Sequence, residues 1–246
     1  MMERRIFNIL SNDRIARDTY RLELAADDPA YMFSGEFVDI ALEGFYLRRP
    51  ISVCDWAPGR IVLIYKVVGK GTDVLSRISC GESLDLLVGL GRGFDPDACG
   101  GSALLVGGGL GAAPLLPLCR QLKERGRKVT AVLGFNRSDE IVLEREFREL
   151  CDEVAIATLD GSVGVKGFVT DAIAAIRPEF DFFYTCGPMV MMKAVCDALP
   201  GSGELSLEER MGCGAGFCYG CSCKTLLGTK RICADGPVFK KEDIIW

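Results

Sequence analysis

Five cysteine residues lie close together near the end of the sequence. Cys213, Cys218 and Cys221 follow the spacing C-x4-C-x2-C, and Cys233 comes later, after Lys-Arg-Ile. This is the ligand spacing of a plant-type [2Fe–2S] cluster, in which four thiolates hold two irons. Glycines interleave the cysteines, which lets the loop wrap a compact inorganic core and lets backbone N–H groups approach the sulfurs. Cys223 breaks the spacing, and we predict that it is not a ligand.

A structural zinc site is the alternative for the same four cysteines. Four thiolates around one zinc ion would stabilise a short segment that has little core of its own. Zinc ribbons prefer two well-separated C-x2-C pairs, whereas three of the four thiols here lie within a single short loop. The spacing favours the cluster and leaves zinc as a second possibility.

The composition excludes much other chemistry. The chain has 246 residues with 12 cysteines and no histidine. Without imidazole there is no Ser-His-Asp triad, no Cys-His protease pair, no His-ligated zinc and no Rieske centre. The chemistry must therefore use thiolates, carboxylates, backbone groups or a bound cofactor.

Charge and hydropathy indicate a soluble, cytoplasmic protein. The formal net charge is −5, so the chain has no excess of positive charge with which to bind nucleic acid or an anionic membrane. No apolar run is long enough to cross a bilayer, and the N-terminus lacks the apolar region of a signal peptide. In a reducing compartment, the seven cysteines outside the C-terminal group are expected to be ordinary thiols rather than disulfides.

A glycine-rich turn is the second chemical feature. The stretch from Gly107 to Pro114 follows a predicted strand and opens a predicted helix, so its N–H groups suit a pyrophosphate. The candidate residues are Gly107, Gly109, Gly111 and Pro114. The motif departs from the usual dinucleotide fingerprint because it ends in proline and the next strand ends at Phe135-Asn136 without an acidic residue. A tight turn without a ligand is the alternative.

Three further segments have both a functional and an ordinary interpretation. Arg49-Pro50-Ile51-Ser52 reads as a charged loop, and Ile64-Tyr65-Lys66 reads as a strand that runs towards Gly71-Thr72 in a turn. Cys186-Gly187-Pro188 reads as a strand end followed by a helix start. The residue types alone do not decide whether these segments bind a ligand.

The elements that must position these residues fall into three regions. Residues 1–99 show short alternating apolar runs, such as Val38 and Ile40 around Asp39, which predict half-buried antiparallel strands in a small barrel or sandwich. Residues 100–200 alternate strands with helices, which predicts an open, mostly parallel α/β sheet. Residues 201–246 are predicted to be a small cluster-binding region. The predicted fold class is therefore all-β followed by α/β.

In this order the three regions resemble the ferredoxin-reductase superfamily, in which a flavin-binding barrel precedes a nicotinamide-binding α/β domain. Its R-x-[YS]-[ST] motif is similar to Arg49–Ser52, with isoleucine at the third position. Its G-x-G-x-x-P and C-G-P-x-x-[ML] motifs match the segments that start at Gly109 and Cys186.

The resemblance implies roles for these residues. FAD would have Arg49 near its phosphates, Ser52 near its isoalloxazine, and Gly71-Thr72 at its pyrophosphate. Ile64, Tyr65 and Lys66 would line the flavin together with Pro50 and Ile51. The nicotinamide would lie near Cys186, Gly187 and Pro188, which makes Ser52 and Cys186 the residues nearest to hydride transfer.

The C-terminal region looks like that of the electron-transfer subunits of class 1B dihydroorotate dehydrogenases. The matching residues are Glu209-Arg210-Met211 before the first ligand and Ala234-Asp235-Gly236-Pro237 after the last. Lys224, where histidine is common, and a short stretch before Cys233 depart from the pattern.

This resemblance implies a catalytic FMN subunit that oxidises dihydroorotate to orotate in pyrimidine biosynthesis, in a heterotetramer with this chain. NAD+ would be the final acceptor; Arg137 and Ser138 could contact a 2′-phosphate, but Asp139 and Glu140 would repel one. Subunits of hydrogenases and of ferredoxin–NADP transhydrogenases share the architecture and remain alternatives, as does a non-redox zinc scaffold.

Overall fold

Residues 2–27 and 32–246 are described by a computed structural model of the chain. The N-terminal region forms a closed barrel whose strands pair in the order β1-β2-β5-β4-β3-β6. The strands are β1 (Glu3–Ala16), β2 (Thr19–Ala26), β3 (Phe37–Ala41), β4 (Arg49–Ala57), β5 (Gly59–Lys66) and β6 (Ser83–Leu90). All of these pairings are antiparallel, as predicted, and the short helix α1 (Lys70–Leu75) follows β5.

The barrel interior is filled by the apolar face of each strand. Val38 and Ile40 of β3 are fully buried in this interior together with Leu22, Val53 and Leu63. The alternation that predicted strands is therefore confirmed, because successive side chains on a strand point to opposite faces.

The outer face of β3 differs from the expected half-buried strand. Asp39 is only 2 % exposed. The reason is that the cysteine loop covers this face: a Cβ added at Gly214 would fall on the Asp39 carboxylate. Phe37, on the same outer face, packs in the buried cluster that contains Cys221 and Cys233.

The second region is a parallel sheet with helices. Its elements are β7 (Ser102–Gly108), α2 (Ala112–Glu124), β8 (Lys128–Phe135), α3 (Glu144–Leu150), β9 (Glu153–Thr158), β10 (Val165–Lys166), α4 (Val169–Ile176), β11 (Phe182–Cys186) and α5 (Met189–Ala198). The predicted alternation of strands and helices is confirmed. The sheet order is β10-β9-β8-β7-β11, followed by β12 (Gly203–Ser206) and β15 (Val238–Lys240), two strands that come from the C-terminal region.

The C-terminal region is attached to this sheet rather than separate from it. Its elements are β12 (Gly203–Ser206), β13 (Ser222–Thr225), β14 (Gly228–Arg231), α6 (Ile232–Asp235) and β15 (Val238–Lys240). β12 lies parallel to β11, and β15 runs antiparallel along the sheet edge. The cysteine loop is thus held between a strand of the sheet and the barrel. None of the described helices is long and apolar enough to span a membrane.

Two elements near the predicted ligand segments were not recognised in the sequence. The charged loop predicted at Arg49 is the start of β4, which pairs with β3 through Pro50 and Ser52. The turn predicted around Gly71 is the first turn of α1. β4 begins with Arg49 and Pro50 rather than with an alternating apolar pattern, and α1 has only six residues, so neither start has a clear sequence signal.

Candidate cofactor and cluster sites

A cavity of about 400 Å³ lies between the barrel and the α/β sheet. Its barrel wall contains many of the residues that the motif matches assigned to the flavin: Arg49, Pro50, Ile51, Ser52, Ile64, Tyr65, Lys66 and Thr72. Leu110 and Ala113, beside the glycine-rich turn, form the opposite wall. Segments far apart in sequence therefore meet around one space that is large enough for part of a dinucleotide.

Arg49 is held at the edge of this cavity by a cation–π contact and a hydrogen bond. Its guanidinium lies 4.8 Å from the ring centroid of Phe45, and its Nη1 donates to the carbonyl of Leu47 at 2.6 Å. A Cβ added at Gly71 would fall on the guanidinium, so glycine permits the close approach of α1 to Arg49. The arrangement places a fixed cation beside a helix start, which suits a phosphate group.

Thr72 and Tyr65 also line this cavity, but their hydroxyl groups form hydrogen bonds within the protein. The Thr72 hydroxyl accepts N–H bonds from Val68 at 3.0 Å and Gly69 at 3.2 Å, and it donates to the Gly69 carbonyl. The Tyr65 phenol donates to Asn12 Oδ1 at 2.9 Å within the barrel core. Both side chains shape the wall through local hydrogen bonds, and neither donates into the cavity.

A second cavity of about 380 Å³ lies on the other side of the glycine-rich turn. Gly108 and Gly109 line it, and Pro188, Met191 and Asn136 contribute further walls. Leu110, the next residue after Gly109, lines the first cavity. The turn is therefore the partition between the two cavities.

The glycine-rich turn packs directly against the Cys186-Gly187 segment. Cys186 and Gly107 are paired at the carboxyl ends of the neighbouring parallel strands β11 and β7. A Cβ added at Gly111 would fall on the carbonyl group of Cys186, and Gly187 adopts φ +149° against the Cα of Gly108. Ligands of open α/β sheets bind at this edge, so the structure brings both nucleotide motifs to the expected place.

The two residues predicted to lie nearest the hydride transfer have different positions. Ser52 lines the first cavity, opposite Phe37 in the β3–β4 pair. The Cys186 side chain lines neither cavity, is 1 % exposed and hydrogen-bonds to Ser206. Burial raises the pKa of this thiol, so it stays neutral, and only the backbone after it borders the nucleotide side.

Glu140 connects the two cavities electrostatically. Its carboxylate lines the second cavity, accepts a hydrogen bond from Asn136 Nδ2 at 2.9 Å and lies 3.2 Å from Lys66 Nζ, which borders the first. Burial opposes its ionisation, but these two partners outweigh burial and lower the pKa of Glu140 below its usual value. The second cavity therefore has an anionic rim, although the strand itself ends without an acidic residue.

The cysteine loop turns backbone N–H groups towards its sulfurs. The contacts are Gly216 N to Cys233 Sγ at 3.1 Å, Phe217 N and Cys218 N to Cys213 Sγ at 3.2 and 3.4 Å, Gly220 N to Cys218 Sγ at 3.4 Å, and Cys233 N to Cys221 Sγ at 3.4 Å. Burial would raise the pKa of Cys213, yet the N–H groups of Ala215 and Cys218 help to lower it to about 7. The loop is therefore built to hold thiolates.

The four thiols form two pairs. Cys213 interacts with Cys218, and Cys221 interacts with Cys233. A two-iron cluster needs two thiolates at each iron, so the pairs fit it. The half-buried Cys223 lies on β13, where its backbone pairs with Lys230. The donor set thus fits the cluster better than zinc.

The wall of the first cavity also contains residues that the sequence did not predict. Phe37, Glu208 and Met211 line the first cavity, and Phe37 also packs in the buried cluster with Cys221. The signal for Met211 was present in the C-terminal motif match, but nothing in the sequence connected it to the barrel.

The chain is similar to known proteins over its whole length. Residues 208–245 match the family model of the iron-sulfur cluster binding domain of dihydroorotate dehydrogenase B, and residues 105–197 match the oxidoreductase NAD-binding domain. The dihydroorotate dehydrogenase B (NAD(+)) electron transfer subunit of Geobacillus sp. strain WCH70 is 42 % identical over 257 residues, which cover 100 % of both chains. That of Fusobacterium nucleatum is 41 % identical over 247 residues, 95 % of each chain. This chain belongs to the family of dihydroorotate dehydrogenase B electron transfer subunits.

Solved structures agree with the family. An NADH-dependent reduced ferredoxin–NADP oxidoreductase has a TM-score of 0.88 and 33 % identity, covering 98 % of this chain and 90 % of that one. A ferredoxin NADP+ reductase from Neisseria gonorrhoeae, at 16 % identity and a TM-score of 0.67 over 79 % of this chain and 91 % of that one, shares the fold.

Membership of this family confirms several sequence-based predictions. The chain is an oxidoreductase subunit that uses FAD, an iron-sulfur cluster and NAD. As a dihydroorotate dehydrogenase B electron transfer subunit, it acts with a catalytic subunit.

Proposed function

We propose that the two cavities and the cysteine loop form one electron-transfer pathway. It connects NAD+ with an FMN-containing catalytic subunit that oxidises dihydroorotate to orotate. The observation that carries this proposal is the position of the glycine-rich turn. Gly109 lines one cavity and Leu110 the other, while Met211 of the cysteine loop segment lines the flavin side. Nucleotide, flavin and cluster sites are therefore consecutive neighbours.

In this proposal the first cavity is the flavin site. When bound there, FAD exchanges a hydride with a nicotinamide and single electrons with an iron-sulfur cluster. Arg49 supplies the cation for its phosphates, and Gly71 allows α1 to approach that cation. Ile51 and Ser52 border the space on the barrel side, while Leu110 limits the access of water from the sheet side.

The second cavity is the proposed nucleotide site. Gly108 and Gly109 place no side chain on the face of the turn that lines this cavity, which leaves the start of α2 open to a pyrophosphate. Gly187 and Pro188 hold the end of β11 against this turn, where the nicotinamide would face the partition. Cys186 acts through its backbone, and its buried thiol positions the strand end against Ser206.

Glu140 is proposed to select NAD over NADP. Its ionised carboxylate can accept hydrogen bonds from ribose hydroxyls and would repel a 2′-phosphate. For Glu140→Gln we expect the ratio of kcat/KM for NADPH to that for NADH to rise about 10-fold, which corresponds to ~1.4 kcal/mol. Steady-state NAD(P)H oxidation with an artificial acceptor measures the ratio.

The matched control for Glu140 is Glu149→Gln, which removes an exposed carboxylate paired with Arg145 on α3. It should leave the ratio unchanged. An unchanged ratio in Glu140→Gln, with the melting temperature and FAD content preserved, would contradict the role of Glu140 in selection.

An exposed apolar surface beside the cluster loop is the proposed docking face for the catalytic subunit. Leu226 and Leu227 at the β13–β14 turn are 70 % and 68 % exposed, and Phe217 and Tyr219 of the loop are also exposed. Arg231 ties this hairpin to the loop, because it lies over the Tyr219 ring and donates to Gly216 O. We name Phe217, Tyr219, Leu226 and Leu227 the docking patch; such exposed apolar groups mark interaction sites.

Leu226→Asp combined with Leu227→Asp is expected to abolish assembly with the catalytic subunit, because the aspartates would be buried without partners. Size-exclusion chromatography of the co-expressed subunits measures assembly, and NADH oxidation with an artificial acceptor should stay normal. Ile6→Asp, on an exposed apolar side chain of the barrel, is the control. Intact heterotetramers in the double variant would show that the patch is not the docking face.

The function itself is tested on the purified subunits. The isolated chain, loaded with FAD and cluster, should oxidise NADH with an artificial acceptor and should not turn over dihydroorotate. Addition of the catalytic subunit should couple dihydroorotate oxidation to NAD+ reduction. Dihydroorotate oxidation by the isolated chain, or a colourless protein with one bound zinc, would overturn the proposal.

A further inference from the structure

Two thiols outside all of the proposed sites face each other. Cys119 Sγ and Cys151 Sγ lie 3.3 Å apart, although the residues are 32 positions apart in sequence. Cys119 is buried on α2, and Cys151 follows the end of α3 with part of its surface exposed. Neither residue lines the two cofactor cavities or belongs to the cysteine loop.

The backbone around both thiols is fixed by hydrogen bonds. Cys119 lies in the middle of a 13-residue helix. The N–H of Cys151 donates to Phe147 O at 2.8 Å. The next residue, Asp152, accepts from Val129 N and from Lys123 Nζ, both at 2.7 Å. The two sulfurs are therefore held near each other by the fold rather than by flexible side chains alone.

We propose that Cys119 and Cys151 are a reversible disulfide-forming pair that links α2 covalently to the end of α3. A disulfide needs the sulfurs to approach to about 2.05 Å, which from 3.3 Å requires only a small rotation of the side chains. The oxidant class is a low-molecular-weight disulfide. The product stays apolar in the core, whereas oxidation of one buried thiol to an acid would place a polar group there.

The chemistry proceeds by two thiol–disulfide exchanges. The Cys151 thiolate attacks one sulfur of the small disulfide, forms a mixed disulfide and releases one small thiolate. The Cys119 thiolate then attacks the Cys151 sulfur and releases the second small thiolate. The two protons lost by the cysteines are taken by the two leaving thiolates, so two electrons pass from the protein thiols to the small disulfide.

The position of the pair determines its rate and its effect. The hydrogen bond with Cys119 and burial both raise the pKa of Cys151, so the link should form slowly at neutral pH and faster as the pH rises. Arg120, the neighbour of Cys119, holds Asp55 of β4, and α2 begins at the glycine-rich turn. The link would therefore fix the helix that connects both cofactor cavities.

The test uses the holoprotein in an anaerobic glutathione buffer of increasing oxidised fraction. After an acid quench and alkylation of free thiols, peptide mass spectrometry should find the Cys119 and Cys151 peptides joined, with the loss of two hydrogen atoms. The melting temperature should rise by about 5 °C, because the link closes a long loop. Visible absorbance reports that the cluster is intact throughout.

Two cysteines serve as controls. Cys80 is exposed and should form only a glutathione adduct. Cys151→Ser should abolish the joined peptide and the rise in melting temperature, and Cys119 should then stay reduced. Any one of three results would overturn the proposal. Cys119 and Cys151 could both stay reduced in oxidised buffer, Cys151 could carry a stable glutathione adduct without a link, or the link could form only after the cluster is lost.

Discussion

Cys221→Ser or Cys233→Ser is expected to remove the [2Fe–2S] cluster and to abolish electron transfer to the catalytic subunit. These two thiols form one of the two pairs, and both are buried against the α/β sheet, where a serine oxygen would be a poor ligand and an unpaired polar group. Iron should fall from about two atoms per chain to almost none. Iron and sulfide analysis and the electron paramagnetic resonance signal after dithionite measure this loss.

The fifth cysteine provides the matched control. Cys223 lies on β13 with a half-buried thiol, so Cys223→Ser should keep the full iron content and the resonance signal. In the ligand variants, FAD content and NADH oxidation with an artificial acceptor should be retained, because the flavin wall comes mainly from the barrel. Iron loss in Cys223→Ser, or a full cluster in Cys233→Ser, would contradict the ligand assignment.

Gly111→Ala is expected to lower NADH oxidation by about 100-fold. The added Cβ would meet the carbonyl group of Cys186 and the nitrogen of Gly187, which are backbone atoms of the neighbouring strand end and cannot turn away. The turn and the strand end must then separate, which shifts the partition between the nucleotide and flavin cavities. Steady-state kinetics with an artificial acceptor measures the effect.

Gly69→Ala is the control for this substitution, because a Cβ at Gly69 meets nothing within 4 Å and its backbone is extended. It should leave activity and FAD content unchanged. The FAD content of Gly111→Ala should also remain, since Arg49 and Ser52 are on the barrel. Normal NADH oxidation in a folded Gly111→Ala protein would show that the close packing of the two motifs is not needed for hydride transfer.

Regular patterns in the sequence predicted most of the fold. Alternation around Asp39 indicated the barrel, and strands alternating with helices from Ser102 onwards indicated the parallel sheet. The same patterns missed β4 at Arg49 and α1 at Gly71, because β4 begins with Arg49 and Pro50 and is fixed by its pairing with β3, while α1 has only six residues. Asp39 is buried for a related reason, since its cover comes from a loop far along the chain.

The sequence also predicted which segments approach the cavities better than it predicted which way their side chains point. Ser52 and Ile64 line the first cavity, which we propose to be the flavin site, while the Cys186 thiol is buried and lines neither cavity. A motif specifies which backbone comes near a ligand, but the direction of a side chain depends on the pleat of the strand. The role of Cys186 in hydride transfer therefore stays a prediction.

The sequence by itself predicted the thiol donors of the cluster, and it determined the order of the regions and the family to which the chain belongs. Local spacing and periodicity carry this information because ligands and repeating patterns lie within short stretches of chain. Only the tertiary structure decided that Phe37 and Met211 share one cavity wall, that Glu140 lies beside Lys66, and that Cys119 meets Cys151. These contacts join distant segments, and strand pairing and helix packing create them.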